Sequence, residues 1–589
     1  MRSPALSLVP SAVEPAPVAV LRPPRAPTRA QWLILCCYLA GALAVTWRLW
    51  ADPAGQAQIG DTPDVNLFAW FMRYDAAAVV HGHLPALVTT AMNAPRGINL
   101  MWNTSLLAPS VLLTPVTVLA GPQASLTVLL TVGFAGSAAS LYWVLRQWSA
   151  SQFAAALGGA VYGFSPALVA AGTGHYHLQF AVLPPLLIHL LLRLATGRGG
   201  PVRNGAGLGL LAAVQLLTAE ELLAETALAA AVMLLVMAIC WPRQARDRLA
   251  GTAAGLATAA GLVAVTCGYP LWVQFHGPLA EHGSPFPAGP FRAHPATFVT
   301  PSGQLLLHTQ ASAAAAASYP ARLPEYLAYL GWPLLVVLAA AAAGYWRVPQ
   351  VRVTAVTFAV LEIFSLGGQR AWLPWHWLAH LPVLSEMLPN RFALLADGAA
   401  AALLAFGLDQ ARATVRDRGS AGWLSWLPAA VAVLAVLPLV PLPLPVTTAA
   451  PVPRGWQTAF TRLQLAASAP VLVVPVPYEE APQALRWQAD TGQPGSLIGG
   501  WFIGPDATGH AALYGGSTVK RAGKQLNALL APASRVPAPS AAQVRAELAA
   551  WRPAAVVAVT QPSSRLARLL ARLLGPPAVQ AGQVLGWRR

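Results

Sequence analysis

Long apolar runs constrain the fold of this chain more than any other feature. Runs of about 17 to 25 residues, the length of a helix that crosses a bilayer, recur along most of the sequence. Hydrophobic residues make up 56% of the 589 residues and charged residues only 10%, a composition too apolar for one water-soluble core. The sequence therefore predicts an α-helical polytopic membrane protein with about 11 to 13 crossings.

Basic residues determine the predicted topology. Residues 1–30 are rich in Pro, Ala and Val and carry arginines ahead of the first apolar run, so we expect a disordered cytoplasmic tail. Because positively charged flanks stay inside, the membrane domain, residues 31–445, begins with an outward crossing, and its first loop, residues 51–104, lies outside. Between residues 103 and 195 the runs give one crossing too many or too few, so either one run is re-entrant or Arg146 lies outside.

Arginine supplies nearly all of the formal net charge of +16, since Lys520 and Lys524 are the only lysines. The chain is also rich in Ala, Gly and Pro, and we attribute part of the arginine excess to compositional bias. We therefore expect no nucleic-acid partner.

The chain changes character after a Pro-rich linker. Short apolar runs at 471–476 and 554–559 alternate with helical patterns at 541–551 and 563–574. This alternation predicts a C-terminal α/β domain, residues 446–589. The charge rule leaves this domain outside the membrane, so it is expected to be extracytoplasmic.

Carboxylates are concentrated just after the first apolar run. Asp61 and Asp64 stand close together there, and in so uncharged a chain acidic groups beside a membrane indicate a functional site. Apolar residues recur at helical spacing over 64–80, which predicts an amphipathic helix lying along the membrane surface. Both aspartates fall at its N-terminal end, so capping of this helix is the structural alternative for one of them.

Further polar side chains fall on the same predicted side. The Arg-bearing loops place Glu220 and Glu221 at the outer turn of a helical hairpin, and they make residues 274–325 a long external loop that ends at Glu325. The first loop, the hairpin turn and this long loop are therefore expected to meet on the outer side.

A resemblance rests on the order of these features. A first helix is followed by a large external loop with a Gly-Asp pair ending at Asp61, a second acid at Asp64, an amphipathic helix and a Pro-Arg-Gly turn at 95–97. The chain resembles the GT-C superfamily of polyprenyl-phosphate-sugar-dependent glycosyltransferases. Residues 324–331 and 388–392 are similar to stretches in a bacterial branch near the YfhO-like membrane proteins.

The resemblance implies transfer of a sugar from a polyprenyl-phosphate donor in the membrane lipid to an extracytoplasmic acceptor, which is an envelope glycan, lipid or protein. A carboxylate of the first loop would act as base on the acceptor hydroxyl, and the Gly-Asp position gives Asp61 as first choice and Asp64 as second. Arg391 is the expected partner of the leaving phosphate, with a snorkelling structural arginine as the alternative. The other expected substrate-binding residues are Glu220, Glu221, His175, His177 and Glu325.

A divalent metal ion is an open alternative, since some members of the superfamily use one. Asp61, Asp64, Glu220, Glu221 and the external histidines offer ligands, but no spacing requires a metal. His175 and His177, like His81 and His83, form a His-x-His pair, which places two imidazoles on opposite sides of a strand or about 200° apart on a helix. That is poor geometry for binding one ion.

Two other classes of function stay open. A lipid or sugar transporter would more often show internal repeats, and the sequence shows none. A catalytically idle scaffold of the same fold would keep the helices and the outer domain but would need nothing from Asp61.

Overall fold

The computed structural model describes residues 28–148, 151–286, 289–418, 422–492, 495–516, 519–530, 537 and 539–589. Most of the predicted N-terminal tail, residues 1–27, lies outside the described residues. The first helix begins directly after Thr28, whose side chain accepts from the backbone N–H of Gln31 and so satisfies one of the free donors of the first turn.

Seven stretches among the described residues are long and apolar enough to cross a membrane. They are Arg29–Ala51, Pro122–Trp148, Gln152–Ala171, Glu220–Cys240, Pro242–His276, Pro389–Asp417 and Gly422–Leu439. The protein is therefore a multi-pass membrane protein, as the apolar runs predicted. The expected total of about 11 to 13 crossings stays a prediction.

The membrane region contains eighteen helices within the described residues. They are α1 Arg29–Ala51, α2 Thr62–Val80, α3 Leu107–Leu112, α4 Thr114–Ala120, α5 Pro122–Trp148, α6 Gln152–Gly163, α7 Pro166–Ala171, α8 Tyr176–Gln179, α9 Pro184–Ala195, α10 Pro201–Leu216, α11 Glu220–Cys240, α12 Pro242–His276, α13 Gln310–Ala317, α14 Trp332–Gly344, α15 Pro349–Ser365, α16 Pro374–Leu378, α17 Phe392–Asp417 and α18 Leu427–Val436. Proline begins many of them, because its fixed φ and missing N–H suit the first turn.

Burial separates central from peripheral helices. In the span that contains α17, 83% of the apolar window is buried, whereas in α12 only 11% is. The centre of the bundle is thus formed by α17 with α5 and α6, which pack against each other. Helix α12 lies at the edge, where its apolar surface remains exposed to lipid.

Broken helices account for the unsettled parity between residues 103 and 195. The first apolar run there forms α3 and α4, of 6 and 7 residues, and neither is long enough to cross. Helix α9 has 12 residues, about 18 Å at 1.5 Å per residue, against a hydrocarbon core of about 30 Å. Pro166 follows the end of α6 and begins α7, so this run is also divided.

Helix α2 does not lie on an open membrane surface. Residues on nearly all of its faces are buried, and it is enclosed between α3, α4 and α5 on one side and α20, Gln483–Thr491, on the other. The indole N–H of Trp70 donates to Gln488 of α20 at 2.8 Å. Asp75, which an amphipathic surface helix would turn towards solvent, is only 1% exposed, and its carboxyl group lies beside Ser110 of α3. The helix has no solvated polar face because α3 covers one side of it and the C-terminal region another.

The C-terminal region is an α/β structure, as predicted. Its helices are α19 Trp456–Leu463, α20, α21 Val519–Ala528, α22 Ala541–Trp551 and α23 Arg565–Leu574. The strands among the described residues are β1 Gln56–Gln58, β2 Val88–Thr89, β3 Ile98–Asn99, β4 Val446–Thr448, β5 Pro470–Val474, β6 Ser496–Leu497, β7 Ile503–Pro505, β8 Ala511–Leu513, β9 Ala555–Val559, β10 Val579–Ala581 and β11 Val584–Arg588. Five strands form one sheet in the order β10-β11-β9-β5-β6, with β5 parallel to both β9 and β6. The helix predicted over 541–551 is confirmed.

Backbone pairing and buried polar contacts join this region to the first loop. Strand β1 pairs antiparallel with β4, and Arg96 of the Pro-Arg-Gly turn donates to the carbonyl of Pro505 at 2.7 Å. The buried guanidinium of Arg486 donates to Gln123 at 2.8 Å and to the carbonyl of Ala54 at 2.9 Å. The predicted boundary at residue 446 therefore falls on a strand that pairs with the first loop.

Candidate active site

The two aspartates of the first loop lie at the start of α2. Asp61 is the N-cap residue, and its Oδ1 accepts from the backbone N–H of Asp64 at 3.5 Å. Its own N–H donates to the carbonyl of Thr173 at 3.1 Å. A Cβ added to Gly174 would lie 2.6 Å from the Cβ of Asp61, so only glycine lets the loop between α7 and α8 approach this closely.

This close approach places His175 between Asp64 and Glu325. Its Nε2 lies 3.5 Å from Oδ2 of Asp64, and its Nδ1 lies 3.4 Å from Oε1 of Glu325. Burial lowers the pKa of His175 more than the Glu325 carboxylate raises it, which favours a neutral imidazole. His175 therefore lies in the same group of polar side chains as the first loop.

Asp64 is held in an apolar, crowded environment. Its Oδ1 accepts from the indole N–H of Trp501 at 2.5 Å. Burial, and then the nearby Asp61 carboxylate, raise the pKa of Asp64 well above its usual range, although the Trp501 bond acts in the opposite direction. Asp61 and Asp64 thus occupy different environments although they are only three residues apart.

His177 does not join the carboxylates. Its ring packs against Phe68, with 5.6 Å between ring centroids, and stands 5.8 Å from the ring of His175. The two rings of this His-x-His pair are in contact, and of the two only His175 offers a ligand atom to the group formed by Asp61 and Asp64. The predicted substrate-binding role of His177 stays a prediction.

Arg391 and Glu325 form the buried half of the site. The Arg391 Nε donates to Glu325 Oε1 at 3.2 Å, its Nη2 bonds the same carboxylate, and its Nη1 bonds Glu221. Asn390 donates to Glu325 Oε2 at 2.7 Å. Burial would raise the pKa of Glu325, but Arg391 and His175 outweigh it and hold that pKa below its usual range.

This pairing changes the interpretation of Arg391. The side chain is only 7% exposed, and two carboxylates already occupy both ends of its guanidinium fork. A phosphate could reach Arg391 only by displacing one of them. The predicted phosphate contact stays untested, and the contacts present are those of a buried ion pair.

The acidic pair at the start of α11 lies beside the first loop, as expected. Glu220 accepts from the hydroxyl of Thr104 at 3.3 Å, and Glu221 accepts from the backbone N–H of Leu388 at 3.4 Å in addition to its Arg391 contact. Both carboxylates therefore face protein groups rather than lipid, which removes the cost of a charged hairpin tip at the membrane.

Three further side chains complete the site, and the sequence did not indicate them: Arg322, Glu479 and Trp501. Arg322 donates to Glu479 at 2.5 Å, and its Nη1 lies 3.9 Å from Oδ2 of Asp61. Its side chain is 57% exposed, and its φ of 69° is unusual for a residue with a Cβ. Lys520 bonds the second oxygen of Glu479 at 3.2 Å. Trp501 follows two glycines of positive φ, the one local signal of a special turn.

A possible metal-binding group is present at the same place. Within the described residues, Asp61, Asp64 and His175 offer ligand atoms that all lie within 4.8 Å of one another. Two carboxylate oxygens and one neutral imidazole are a donor set that suits divalent transition metals. Glu220 and Glu221 are not part of this group.

Comparisons with known proteins bear on the fold. The sequence matches no protein-family model and no curated protein. Among solved structures, the arabinofuranosyltransferase AftD from Mycobacteria matches 96% of this chain, with 15% identity and a TM-score of 0.51, and this chain spans only 42% of AftD.

Two further solved structures resemble the chain less well. One is the oligosaccharyltransferase AglB from Archaeoglobus fulgidus, solved with an inhibitory peptide and a dolichol-phosphate. The match covers 90% of this chain and 69% of the AglB chain, with 10% identity and a TM-score of 0.46. ArnT from Cupriavidus metallidurans matches 94% and 97%, with 11% identity and a TM-score of 0.41. On the AftD match, the chain has the fold of the GT-C membrane glycosyltransferases, while the YfhO-like branch stays a prediction.

Proposed function

We propose that this protein is an integral-membrane glycosyltransferase. It moves a sugar from a polyprenyl-phosphate donor to a hydroxyl of an extracytoplasmic acceptor. The observation that carries the proposal is the juxtaposition of Asp61, Asp64 and His175 with the exposed cation Arg322. These groups lie at the junction of the first loop and the C-terminal region, in a fold shared with a named glycosyltransferase.

Asp61 is the proposed base. Both oxygens of Asp64 are engaged, Oδ1 by Trp501 and Oδ2 by His175. Asp61 has weaker attachments, a 3.5 Å capping bond and Arg322 at 3.9 Å. Asp61 therefore keeps lone pairs free to accept a proton, which is what a general base needs.

The reaction balances with these groups. The acceptor hydroxyl gives its proton to the Asp61 carboxylate, and its oxygen forms a bond to the anomeric carbon of the sugar. The bond between that carbon and the phosphate oxygen breaks, and the polyprenyl phosphate leaves with the electron pair. The proton on Asp61 then passes to solvent.

Arg322 is the proposed partner of the leaving phosphate. It lies beside Asp61, it is more than half exposed, and it contributes a guanidinium fork that matches phosphate oxygens. Arg391 then has a different role. With Glu325 it fixes His175, and through His175 the position of Asp64.

Asp61, Asp64 and His175 would hold a divalent ion if the protein uses one, because their donor atoms match its preferences. Such an ion supplies positive charge that stabilises a leaving phosphate. Arg322 acts on the same charge by a hydrogen-bonded contact.

Membranes from cells that make the wild type or Asp61→Asn, supplied with labelled polyprenyl-phosphate sugars, test the proposal. Label should enter an envelope product only with the wild type. Asp247→Asn, at an exposed position of α12 far along the chain from the site, is the matched control and should remain active. Incorporation by Asp61→Asn at the wild-type rate would reduce Asp61 to a capping residue, and wild-type incorporation no higher than in membranes that lack the protein would favour a scaffold of the same fold.

A further inference from the structure

The C-terminal sheet separates two different surfaces. Alternate residues of a strand point to opposite faces, and Val471 and Val473 of β5 pack in the large core shared with the membrane helices. Leu472 and Val474 pack instead in a second core with α21, α22 and α23. The layer formed by α21, α22 and α23 therefore lies on the side of the sheet that is turned away from the membrane region.

This outer layer carries an unbalanced charge. From residue 540 onward the chain has seven arginines and a single acidic residue, Glu547. All seven are exposed; they are Arg545, Arg552, Arg565, Arg568, Arg572, Arg588 and Arg589. Arg588 lies on the face of β11 opposite to Trp587, which packs in the second core, so it is not part of the outer surface.

Basic residues earlier in the C-terminal region are paired. Arg486 of α20 pairs with Asp490, and Lys520 and Lys524 of α21 pair with Glu479 and Glu480. Within the part of the chain that the structure describes, none of the seven arginines forms an ion pair. Compositional bias explains arginine in place of lysine, but the density of basic residues here, seven in 50, is about twice that of the whole chain, 37 in 589.

The arginines are arranged in rows. Arg565, Arg568 and Arg572 are spaced by three and four residues on α23 and share one side of it. Arg589 donates to the carbonyl of Leu548 in α22 at 2.5 Å, which fixes the end of β11 beside that helix. Helices α22 and α23 pack against each other. The surface that carries the arginines of these two helices and Arg589 is called the basic face.

Distance decides which anion this face can meet. The sheet and the layer of α19 and α20 lie between the basic face and the membrane helices, and each packed layer adds about 10 Å. The Debye length at physiological ionic strength is about 8 Å. Attraction to the headgroups of the protein's own membrane is therefore largely screened.

We infer that this basic face is a docking surface for a polyanionic polymer on the outer side of the membrane, a glycan that bears repeated phosphate or carboxylate groups. Rows of guanidinium groups match such a polymer because each can bond an anionic group bidentately. The inference does not rest on sugar transfer, since binding is measured without a donor.

The test uses the full-length protein in neutral-lipid nanodiscs with a fluorescent long-chain polyphosphate as probe. The triple variant Arg565→Gln, Arg568→Gln, Arg572→Gln should bind at least about tenfold more weakly, and its salt dependence, log K against log salt, should become shallower by about two. The control is Arg243→Gln, Arg246→Gln, Arg248→Gln, three exposed arginines of α12, which should bind as the wild type does.

Three outcomes would overturn the inference. Equal binding by the two triple variants would mean that net charge alone attracts the probe. Unchanged polyphosphate binding together with lost affinity for phosphatidylglycerol nanodiscs would assign the face to lipid headgroups. Absence of polyphosphate binding by the wild type at low salt would exclude a polymer site. Matching thermal unfolding of the variants in detergent keeps each comparison valid.

Discussion

The indole N–H of Trp501 donates to Oδ1 of Asp64 across 437 positions of the sequence. Asp64 lies in the first turn of α2. Trp501 belongs to the C-terminal region, which follows the membrane helices in the chain. The proposed active site is therefore assembled from both parts. Glu479 makes the same connection through Arg322 to Asp61.

Trp501→Phe removes this donor and keeps most of the ring. A hydrogen bond to a charged or polarised carboxylate contributes about 1.5 to 3 kcal/mol, so we expect sugar transfer to fall by roughly ten- to hundredfold at little cost in stability. Rates with a labelled donor and thermal unfolding in detergent check this. The control is Trp551→Phe, which changes a residue of the second core of the C-terminal region. This variant should be somewhat less stable than the wild type and fully active.

Asp61→Asn separates catalysis from capping. Asparagine caps a helix about as well as aspartate but does not accept a proton, so turnover should fall by about two to four orders of magnitude with an unchanged melting temperature. Asp64→Asn should cost less activity. A fully active Asp61→Asn protein would reduce Asp61 to a capping residue.

Arg391 and Arg322 should respond in opposite ways. Replacing Arg391 by Met leaves Glu325 and Glu221 buried without their cation, a change that costs about 3 to 5 kcal/mol, so the protein should unfold at a lower temperature or fail to accumulate. Arg322→Gln loses only a partly exposed ion pair, about 0 to 1 kcal/mol. It should fold normally and lose activity. Normal activity of Arg322→Gln would return the phosphate role to another cation.

Asp75 should make stability depend on pH. Burial raises its pKa to about 8, so the folded protein holds a proton that the unfolded chain releases near pH 4. Stability from this group is complete at low pH and is lost as pH rises towards about 8. Asp75→Asn should therefore flatten the fall in melting temperature between pH 5 and 8. An unchanged slope would mean that the carboxyl group is ionised in the folded protein.

Topology is open to chemical labelling. In a chain whose four native cysteines are replaced, Ala314→Cys in the exposed α13 and Ser563→Cys in the C-terminal region should react with an impermeant thiol reagent in intact cells. Arg246→Cys should react only after lysis. Protection of the first two in intact cells would move the proposed site to the cytoplasmic side.

The sequence could predict what short-range patterns encode. Apolar runs gave the membrane helices, alternation of short runs gave the C-terminal α/β region, and the scarcity of charge singled out Asp61, Asp64 and the α11 glutamates. These predictions depend on hydrophobic burial and on the cost of charge near lipid, which act on every window of the chain.

The features that the sequence could not predict depend on contacts between residues that are distant in sequence. Asp75 is buried although α2 has the spacing of an amphipathic surface helix, because nothing local shows that α3 and α20 cover that helix. Arg391 was expected to be open because its partners, Glu325 and Glu221, lie 66 and 170 residues away. Arg322 carries no local pattern that distinguishes it from the many other arginines of this chain, and Trp501 has only the two glycines that precede it.

The joining of Trp501 and Glu479 to the first loop also sets an order in time. A ribosome delivers α1, the two aspartates and every membrane helix before it makes residue 479. A growing chain already inserted in the bilayer therefore lacks the indole that holds Asp64 and the carboxylate that holds Arg322. The site becomes complete only after the last part of the chain has been synthesised and has packed onto α2, so membrane insertion precedes competence.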